Sequence, residues 1–247
     1  MSDMTTKSTT LRTRPFQPFF LAANDLLNLA LPYYQQIEQD RQRFKETGIV
    51  KPLPKGVWQL DKSLSIGSFV IKYMGLEAFV NCVYRDFKVR SLDDLPIQFF
   101  VGPLQAQRNQ ILKKDFGYLY LPTRLFLVMP LCSEPILDPS GVYDIEGPEW
   151  AKFLETVQIR HSFNHAEETE VRYMVTKAGP KLWLANDEDP QNFWPLTGTH
   201  RDHRILNFQA ASQLNSIIDW VVSKIRAALP EQLNDTYMSQ ENMQVSE

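Results

Sequence analysis

One short stretch of the chain combines residue types that can carry acid–base and phosphate chemistry. Arg160, His161 and His165 follow an apolar, helix-compatible run, and two of the chain's four histidines lie in this stretch. A histidine with a pKa near neutrality can remove the proton from a ribose 2′-hydroxyl or protonate a leaving 5′ oxygen. An arginine is always charged and binds phosphate through a bidentate fork. Arg160 and His165 are therefore candidates for cleaving an RNA phosphodiester without a metal.

The spacing of these residues leaves other interpretations open. On an ideal helix, positions five apart are separated by about 140°, so Arg160 and His165 converge only at a helix end, at a kink, or across a dimer. His161 and His165 share a helix face and could bind a metal, but no third ligand is indicated and we expect no metal. The main competing interpretation is a solvated helix end, where Arg160 and His165 satisfy carbonyls and the helix dipole.

A second segment places polar side chains inside an apolar helix. Residues 65–87 are predicted to form the central, most buried helix, because apolar residues cover much of its circumference. Glu77 and Asn81 lie four residues apart within it, and therefore on one face. A buried carboxylate and amide need hydrogen-bonding partners. Either these two residues orient groups in a site, or they lie at a partly exposed edge.

A weaker, locally basic cluster precedes the last predicted helix. Such a segment could contact phosphate as a substrate-binding edge. The alternative is a solvated helix N-terminus that is capped by Asp202. The cluster consists of His200, Arg201, His203 and Arg204.

The composition indicates an ordinary globular protein. The 247 residues are 43% hydrophobic and carry a formal net charge of −3, so the totals show no globally basic face for nucleic acid. The two cysteines, Cys82 and Cys132, are expected to be free thiols in a reducing compartment. The first residues have no apolar signal core, and no run approaches the ~20 apolar residues of a membrane span. We therefore expect a soluble, cytoplasmic protein with no membrane contact.

The hydrophobic pattern predicts an all-α domain of four to five main helices with irregular insertions. Residues 1–15 are expected to be a disordered lead-in, 16–229 a single domain, and 230–247 a disordered tail. Short strands are expected within 173–199. The main helices are predicted at 19–46, at 65–87, from Gly147 into Arg160, and at 205–229.

Residues 92–146 are harder to assign. Short helices are predicted near 97–100 and over 104–113. Residues 119–129 could be a strand or a buried helix, because periodicity cannot separate the two. Prolines then predict an extended loop over 130–141.

Two of these segments resemble the HEPN superfamily, a group of all-helical domains found in many prokaryotic toxins and defence proteins. Tyr73-Met-Gly-Leu-Glu77-Ala-Phe-Val-Asn81 resembles the family's early helix, with its L-E-A-(aromatic or aliphatic)-(aliphatic)-N signature. Leu154-Glu-Thr-Val-Gln-Ile-Arg160-His161-Ser-Phe-Asn-His165 resembles the family's R-(polar)-x-x-x-H motif. The likeness in element order spans roughly residues 20–228, and it is specific at these two segments.

The resemblance implies a metal-independent endoribonuclease of toxin or phage-defence type that uses no cofactor. Arg160 would hold the scissile phosphate, His165 would be the acid–base group, and His161 would orient the phosphate or ribose. Glu77 and Asn81 would support them. The implied partners are an RNA substrate, a second copy of the chain in a homodimer with one shared cleft, and an antitoxin or other regulatory protein. Some members of the family act instead as non-catalytic interaction or sensing modules, and that alternative stays open here.

Overall fold

The computed structural model describes residues 14–49, 53–96, 111, 113–163, 173–176, 179–185, 190–202 and 206–233. Helix α1 is Phe16–Thr47, α2 is Val57–Phe87, α3 is Leu121–Cys132, α4 is Pro139–Tyr143, α5 is Pro148–Ser162 and α6 is Phe208–Ala228. Strands β1, Tyr173–Thr176, and β2, Gly179–Ala185, form an antiparallel pair. Short 3-10 helices cover Leu92–Asp94, Phe116–Tyr118 and Pro190–Asn192.

The predicted all-α class is confirmed, since helices dominate the described residues. The two short strands lie within the segment predicted to contain them. Several predictions lie outside the described residues: the lead-in up to residue 13, the helix at 97–100, most of the helix at 104–113, and the tail from 234.

The first two helices pack along each other over most of their length. Gly75 of α2 allows a close approach, because a Cβ there would lie 3.1 Å from the Cβ of Phe19 and 3.3 Å from the ring of Phe20. Helix α1 ends where Gly48 takes a left-handed conformation, with φ of 67°, and donates its N–H to the carbonyl of Phe44.

Helix α2 is the central helix, as predicted, but it begins two turns before residue 65. Its early buried face is polar, with Asp61, Ser65 and Ser68 all below 3% exposure. Asp61 and Ser68 bond to neighbouring helices; for example, Ser68 donates to the carbonyl of Ala23 at 2.7 Å. The apolar pattern misses this start because polar partners, and not apolar packing, fill the interior there.

Helix α3 settles the ambiguity at 119–129 in favour of a buried helix. Ten of its twelve residues are buried. The helix continues through Pro130, so the predicted loop over 130–141 is wrong at its start. Arg90 stabilises this ending, since its guanidinium donates to the carbonyl of Pro130 in the last turn and to that of Ser133, the cap of the helix.

The second half of the predicted loop also folds, because α4 occupies Pro139–Tyr143. Asp138 caps it by accepting the N–H of Ser140 at 3.0 Å. Tyr143 is fully buried, donates to the carbonyl of Leu125 at 3.1 Å, and stacks on Trp150 at 5.0 Å. Because α4 has only five residues, it is too short to show the hydrophobic periodicity from which a helix is predicted.

Helix α5 begins at Pro148, as the Gly147-Pro148-Glu149 segment predicts. Its buried Glu155 accepts hydrogen bonds from the backbone of Leu196 and from both the backbone and hydroxyl of Thr197. This carboxylate therefore fixes the 195–197 turn against α5. The same helix thus positions Arg160 and the segment that leads to α6.

Helix α6 confirms the last predicted helix, although Asp202 does not cap it. Asn207 is the cap and accepts the N–H of Ala210 at 3.0 Å. Asp61 of α2 accepts the N–H of Phe208 at 3.2 Å. Asp202 is itself buried, with 2% exposure, so it is not a residue of a solvated helix end.

By length and composition α2 could cross a membrane. More than half of its most apolar window is buried inside the structure, however, as in the core helix of a soluble protein. Its composition alone is weak evidence for a membrane span, and the fold is compatible with a soluble protein.

Candidate functional site

One stripe of α2 carries Tyr73 and the two polar residues that the sequence singled out. Tyr73, Glu77 and Asn81 follow each other at four-residue spacing, so they lie on one face. Helix α3 places Arg124 against this stripe: its guanidinium donates to Oε1 of Glu77 at 2.7 Å and to Oδ1 of Asn81 at 2.9 Å. The pair has a buried arginine as its partner, and it also lies at a partly exposed edge, since the Glu77 side chain is 40% exposed and Asn81 is half-buried.

Arg124 was not found by the sequence reasoning, although the sequence holds a signal for it. It is a single charge inside a strongly apolar helix, and only 5% of its side chain is exposed. Burying a charge costs several kcal/mol, in order of magnitude, unless it is paired. A lone arginine in such a helix should therefore be paired with the carboxylate and amide of another apolar helix, and Glu77 and Asn81 meet that need.

Arg160 reaches the same stripe from the last turn of α5. Its guanidinium carbon lies 5.9 Å from the centre of the Tyr73 ring, a distance that suits a cation–π contact. Tyr73 is buried, with 6% exposure. Burial and then the nearby charge of Glu77 raise the pKa of Tyr73 well above its usual value, while Arg124 and Arg160 oppose the rise. The tyrosine therefore stays neutral and presents its ring to the arginine.

We call these residues the arginine cluster: Tyr73, Glu77, Asn81, Arg124 and Arg160. Three helices, α2, α3 and α5, contribute to it. Sequence reasoning identified Arg160, Glu77 and Asn81, and the structure brings all three to one stripe of α2.

Tyr120 forms part of the rim of this cluster. It precedes α3, its carbonyl accepts the N–H of Arg124 at 3.0 Å, and its charge would raise the pKa of Tyr73. Its side chain is nevertheless 60% exposed. Burial of part of the residue raises the pKa of Tyr120. The position combines an aromatic surface open to solvent with closeness to Arg124 and Tyr73.

Of the two histidines of the motif, only His161 lies within the described residues. His161 lies in the last turn of α5 and is exposed. His165 lies outside the described residues. The chain between them is anchored at Phe163, whose ring lies 5.9 Å from the ring of Phe69, one helical turn before Tyr73. The segment that leads to His165 therefore starts beside the arginine cluster.

The basic cluster before α6 is only partly a surface feature. His200 is 6% exposed, its Nδ1 accepts the N–H of Asp202 at 3.0 Å, and its ring meets the ring of Phe193 edge-on. Arg201 is exposed, lies over the ring of Trp194 at 4.9 Å, and donates to the carbonyl of Phe193. An exposed phosphate edge is therefore wrong for His200. His203 and Arg204 lie outside the described residues.

Cys82 and Cys132 are both free and buried, and burial raises the pKa of the Cys132 thiol to about 12. Within the described ranges, no group of three or more His, Cys, Asp or Glu side chains could hold a metal ion.

Comparisons with known proteins add no relative: no protein-family model, no curated protein and no solved structure matches the chain. The described residues form a predominantly helical protein with an arginine cluster at the junction of three helices.

Proposed function

We propose that the protein is a metal-independent endoribonuclease whose site is built on the arginine cluster. The observation that supports this most directly is the position of Arg160. A guanidinium from the R-x-x-x-x-H segment is held against the Tyr73 ring, on the same α2 stripe as Glu77 and Asn81. Two segments about 80 residues apart in sequence, chosen for their chemistry, meet at one place in the fold.

We assign phosphate binding to Arg160 because it is the arginine of the R-x-x-x-x-H segment. Arg124 pairs with Glu77 at 2.7 Å and joins α3 to α2. Arg160 contributes its charge at the end of α5, next to the exposed His161. A fixed guanidinium can stabilise the negative charge that develops on the phosphoryl oxygens during cleavage.

In the proposed reaction, the ribose 2′-oxygen attacks the adjacent phosphorus as its proton moves to a histidine. The bond from phosphorus to the 5′ oxygen breaks, and this oxygen takes a proton from a second acid. The products are a 2′,3′-cyclic phosphate and a 5′-hydroxyl. His165 transfers one of the protons, and His161 orients the phosphate or ribose. A second copy of the chain in a homodimer contributes the other motif to the cleft.

The first prediction tests this reaction with end-labelled RNA in buffer that contains EDTA. The wild-type protein should release fragments that end in a 2′,3′-cyclic phosphate. Arg160→Ala and His165→Ala should each lower the cleavage rate by a factor of 100 or more, since charge stabilisation and acid–base catalysis each contribute about 10²-fold or more. RNA with a single 2′-deoxy residue at the cleavage position should resist cleavage there.

Arg85→Ala is the matched control, because Arg85 is exposed on α2 and pairs with the adjacent Asp86. This variant should cleave like the wild type. Circular dichroism and thermal unfolding must show that both site variants remain folded. Undiminished cleavage by the folded Arg160→Ala and His165→Ala proteins would reject the assignment of these residues.

The alternative is a non-catalytic interaction or sensing protein, and the net charge of −3 favours it. This alternative predicts no RNA cleavage by the wild-type protein at any pH, and binding to a protein partner that Arg160→Ala weakens. Growth of cells that express the wild type or His165→Ala separates the two functions, because only a nuclease should inhibit growth in a His165-dependent manner.

A further inference from the structure

The stripe of α2 that carries the arginine cluster continues past Asn81 to the C-terminal end of the helix. Tyr84 follows Asn81 by three residues and Lys88 follows Tyr84 by four, so all three lie on one face. Lys88 is the cap residue that ends α2, and it is exposed. Its Nζ lies over the Tyr84 ring, 5.2 Å from the ring centre. The stripe therefore ends in an exposed cation.

An aromatic stack brings two further lysines to the same end of α2. The ring of Phe116 lies face to face with the ring of Tyr84, with centres 3.9 Å apart and planes inclined by 10°. Phe116 is buried, so this contact fixes its short 3-10 helix against α2. Lys113 and Lys114 precede Phe116 and are exposed, and their Cα atoms lie within about 11 and 7 Å of its Cα. We call Lys88, Lys113 and Lys114 the lysine patch.

The positive charge of the lysine patch exceeds the negative charge beside it. Among the described residues, none of the three lysines forms an ion pair with a carboxylate. Asp115, which is exposed, lies within the same segment as two of them. On α2, Arg85 and Asp86 pair with each other at 2.8 Å. The C-terminal end of α2 carries the negative end of the helix dipole, so any attraction for an anion must come from the lysine side chains.

We infer that the lysine patch binds the phosphates of single-stranded RNA to one side of the cleavage position. Lysine ammonium groups contact phosphates as point charges, and such contacts position a nucleic acid without reading its sequence. At 1.5 Å per residue, about 22 Å of α2 separate Tyr73, where Arg160 lies, from Lys88. An RNA strand that follows this stripe over several nucleotides meets both sites.

The choice of single-stranded RNA as the partner rests on the proposed function and on Tyr120. This exposed ring lies beside the arginine cluster. Bases stack on aromatic side chains when they are not already stacked in a duplex. An acidic segment of a protein would satisfy the lysines but would not use the continuity of the patch with the arginine cluster.

The inference is tested by fluorescence anisotropy with the full chain and a labelled RNA of about 20 nucleotides, which is longer than a typical single-strand site. Every ribose of this RNA carries a 2′-O-methyl group. Such an RNA has no 2′-hydroxyl to attack the phosphorus, so binding is measured without cleavage. Affinity should fall as sodium chloride is raised from about 50 to 200 mM, because each phosphate contact releases counterions.

Two changes with opposite expected effects connect binding to the patch. The combined variant Lys88→Ala, Lys113→Ala and Lys114→Ala should weaken binding at least about 20-fold at low salt. It should also lower the slope of log affinity against log salt by about 2, since each contact with a single strand contributes about 0.7. Asp115→Asn should strengthen binding about twofold by removing a repelling charge, and a gain in affinity cannot result from loss of folding.

Arg85→Ala is the matched control and should bind like the wild type, because Arg85 is exposed near Lys88 but pairs with Asp86. If the wild type does not bind the RNA, or if the triple variant keeps the wild-type affinity and salt slope, the inference is overturned. Lysine-dependent binding of polyglutamate in place of RNA would also overturn it, in favour of an acidic protein partner.

Failure of the nuclease and failure of the patch are distinguishable. Lysine-dependent RNA binding by a protein that cleaves no RNA would support the patch and reject the nuclease. If the protein does cleave RNA, the triple variant should raise KM with little change in kcat, because the lysines do not touch the reacting atoms. A fall in kcat with unchanged RNA binding would contradict the inference.

Discussion

Two exposed tyrosines that lie two residues apart in the chain allow a sharp test of substrate contact. Tyr120 is 60% exposed and lies four residues before Arg124, whereas Tyr118 is 81% exposed and belongs to the preceding 3-10 helix. Of these two tyrosines, only Tyr120 is close enough to affect the pKa of Tyr73. If RNA passes over the arginine cluster, Tyr120 is therefore placed to stack on a base beside the phosphate that Arg160 holds.

The second prediction is that Tyr120→Ala lowers kcat/KM for RNA cleavage by about 5- to 100-fold, because stacking of a base on an aromatic side chain is worth about 1–3 kcal/mol. Tyr120→Phe should retain most of the activity, since the ring remains. Tyr118→Ala is the control and should cleave normally. Equal losses in Tyr118→Ala and Tyr120→Ala would show that exposure alone, and not closeness to the cluster, governs the effect.

At the residue scale, the sequence predicted part of the cluster for a physical reason. Glu77 and Asn81 stood out because polar groups in an apolar helix need partners. Tyr73 did not stand out, because a tyrosine at helical spacing looks the same whether it fills the core or supports a cation. Its role depends on the position of Arg160, which only the packing of α5 against α2 supplies.

At the scale of elements, a buried carboxylate joins α2 to α6. Asp61 is 2% exposed and accepts the N–H of Phe208 and the hydroxyl of Ser65. Burial raises its pKa to about 6, more than the two hydrogen bonds lower it. The folded protein therefore favours the protonated acid, and the stability from this group is complete below the unfolded pKa near 4. That stability is lost as the pH rises through about 6.

The third prediction is that Asp61→Asn removes this pH dependence. Wild-type stability should fall between pH 4.5 and 7.5 by up to about 2 kcal/mol relative to the variant, since a pKa shift contributes about 1.4 kcal/mol per unit and part of it is already lost at pH 4.5. At pH 7.5 the free energy of unfolding of the variant should equal or exceed that of the wild type, since an amide oxygen can still accept the N–H of Phe208. Urea unfolding at both pH values measures the difference. Asp25→Asn, at an exposed position of α1, is the control and should keep the wild-type pH dependence of stability. If Asp25→Asn changed this pH dependence more than Asp61→Asn does, the assignment to Asp61 would be contradicted.

The elements differ in how well the sequence revealed them. The starts and ends of α1, α5 and α6 follow from periodicity together with Pro148, Gly48 and the apolar stripe of the last helix. The first two turns of α2 escaped because Asp61 and its polar neighbours face the interior. The end of α3 escaped because Arg90, about 40 residues away in sequence, binds its last carbonyls. Contacts between distant segments decide these cases, and a local pattern does not contain them.

At the scale of the whole molecule, the proposed nuclease needs two copies of the chain. The exposed face of α5 contains Leu154, Gln158 and His161, spaced by four and three residues. Leu154 is an apolar side chain with 36% exposure on the same face as a motif histidine. If two copies bring their motifs together through this face, Leu154 lies in the contact between them.

The fourth prediction is that Leu154→Asp weakens self-association at least tenfold, about 1.4 kcal/mol, because a carboxylate would then be buried in an apolar contact. RNA cleavage should fall with it at concentrations where the wild type is still dimeric. Leu29→Asp, at a 59% exposed position of α1, is the control for surface charge and should change neither property. Light scattering over a dilution series measures association, and cleavage is assayed on the same samples. If the wild-type protein cleaves RNA while monomeric, the site is complete in one chain. If the Leu154→Asp protein stays dimeric and active, the two copies meet through another face.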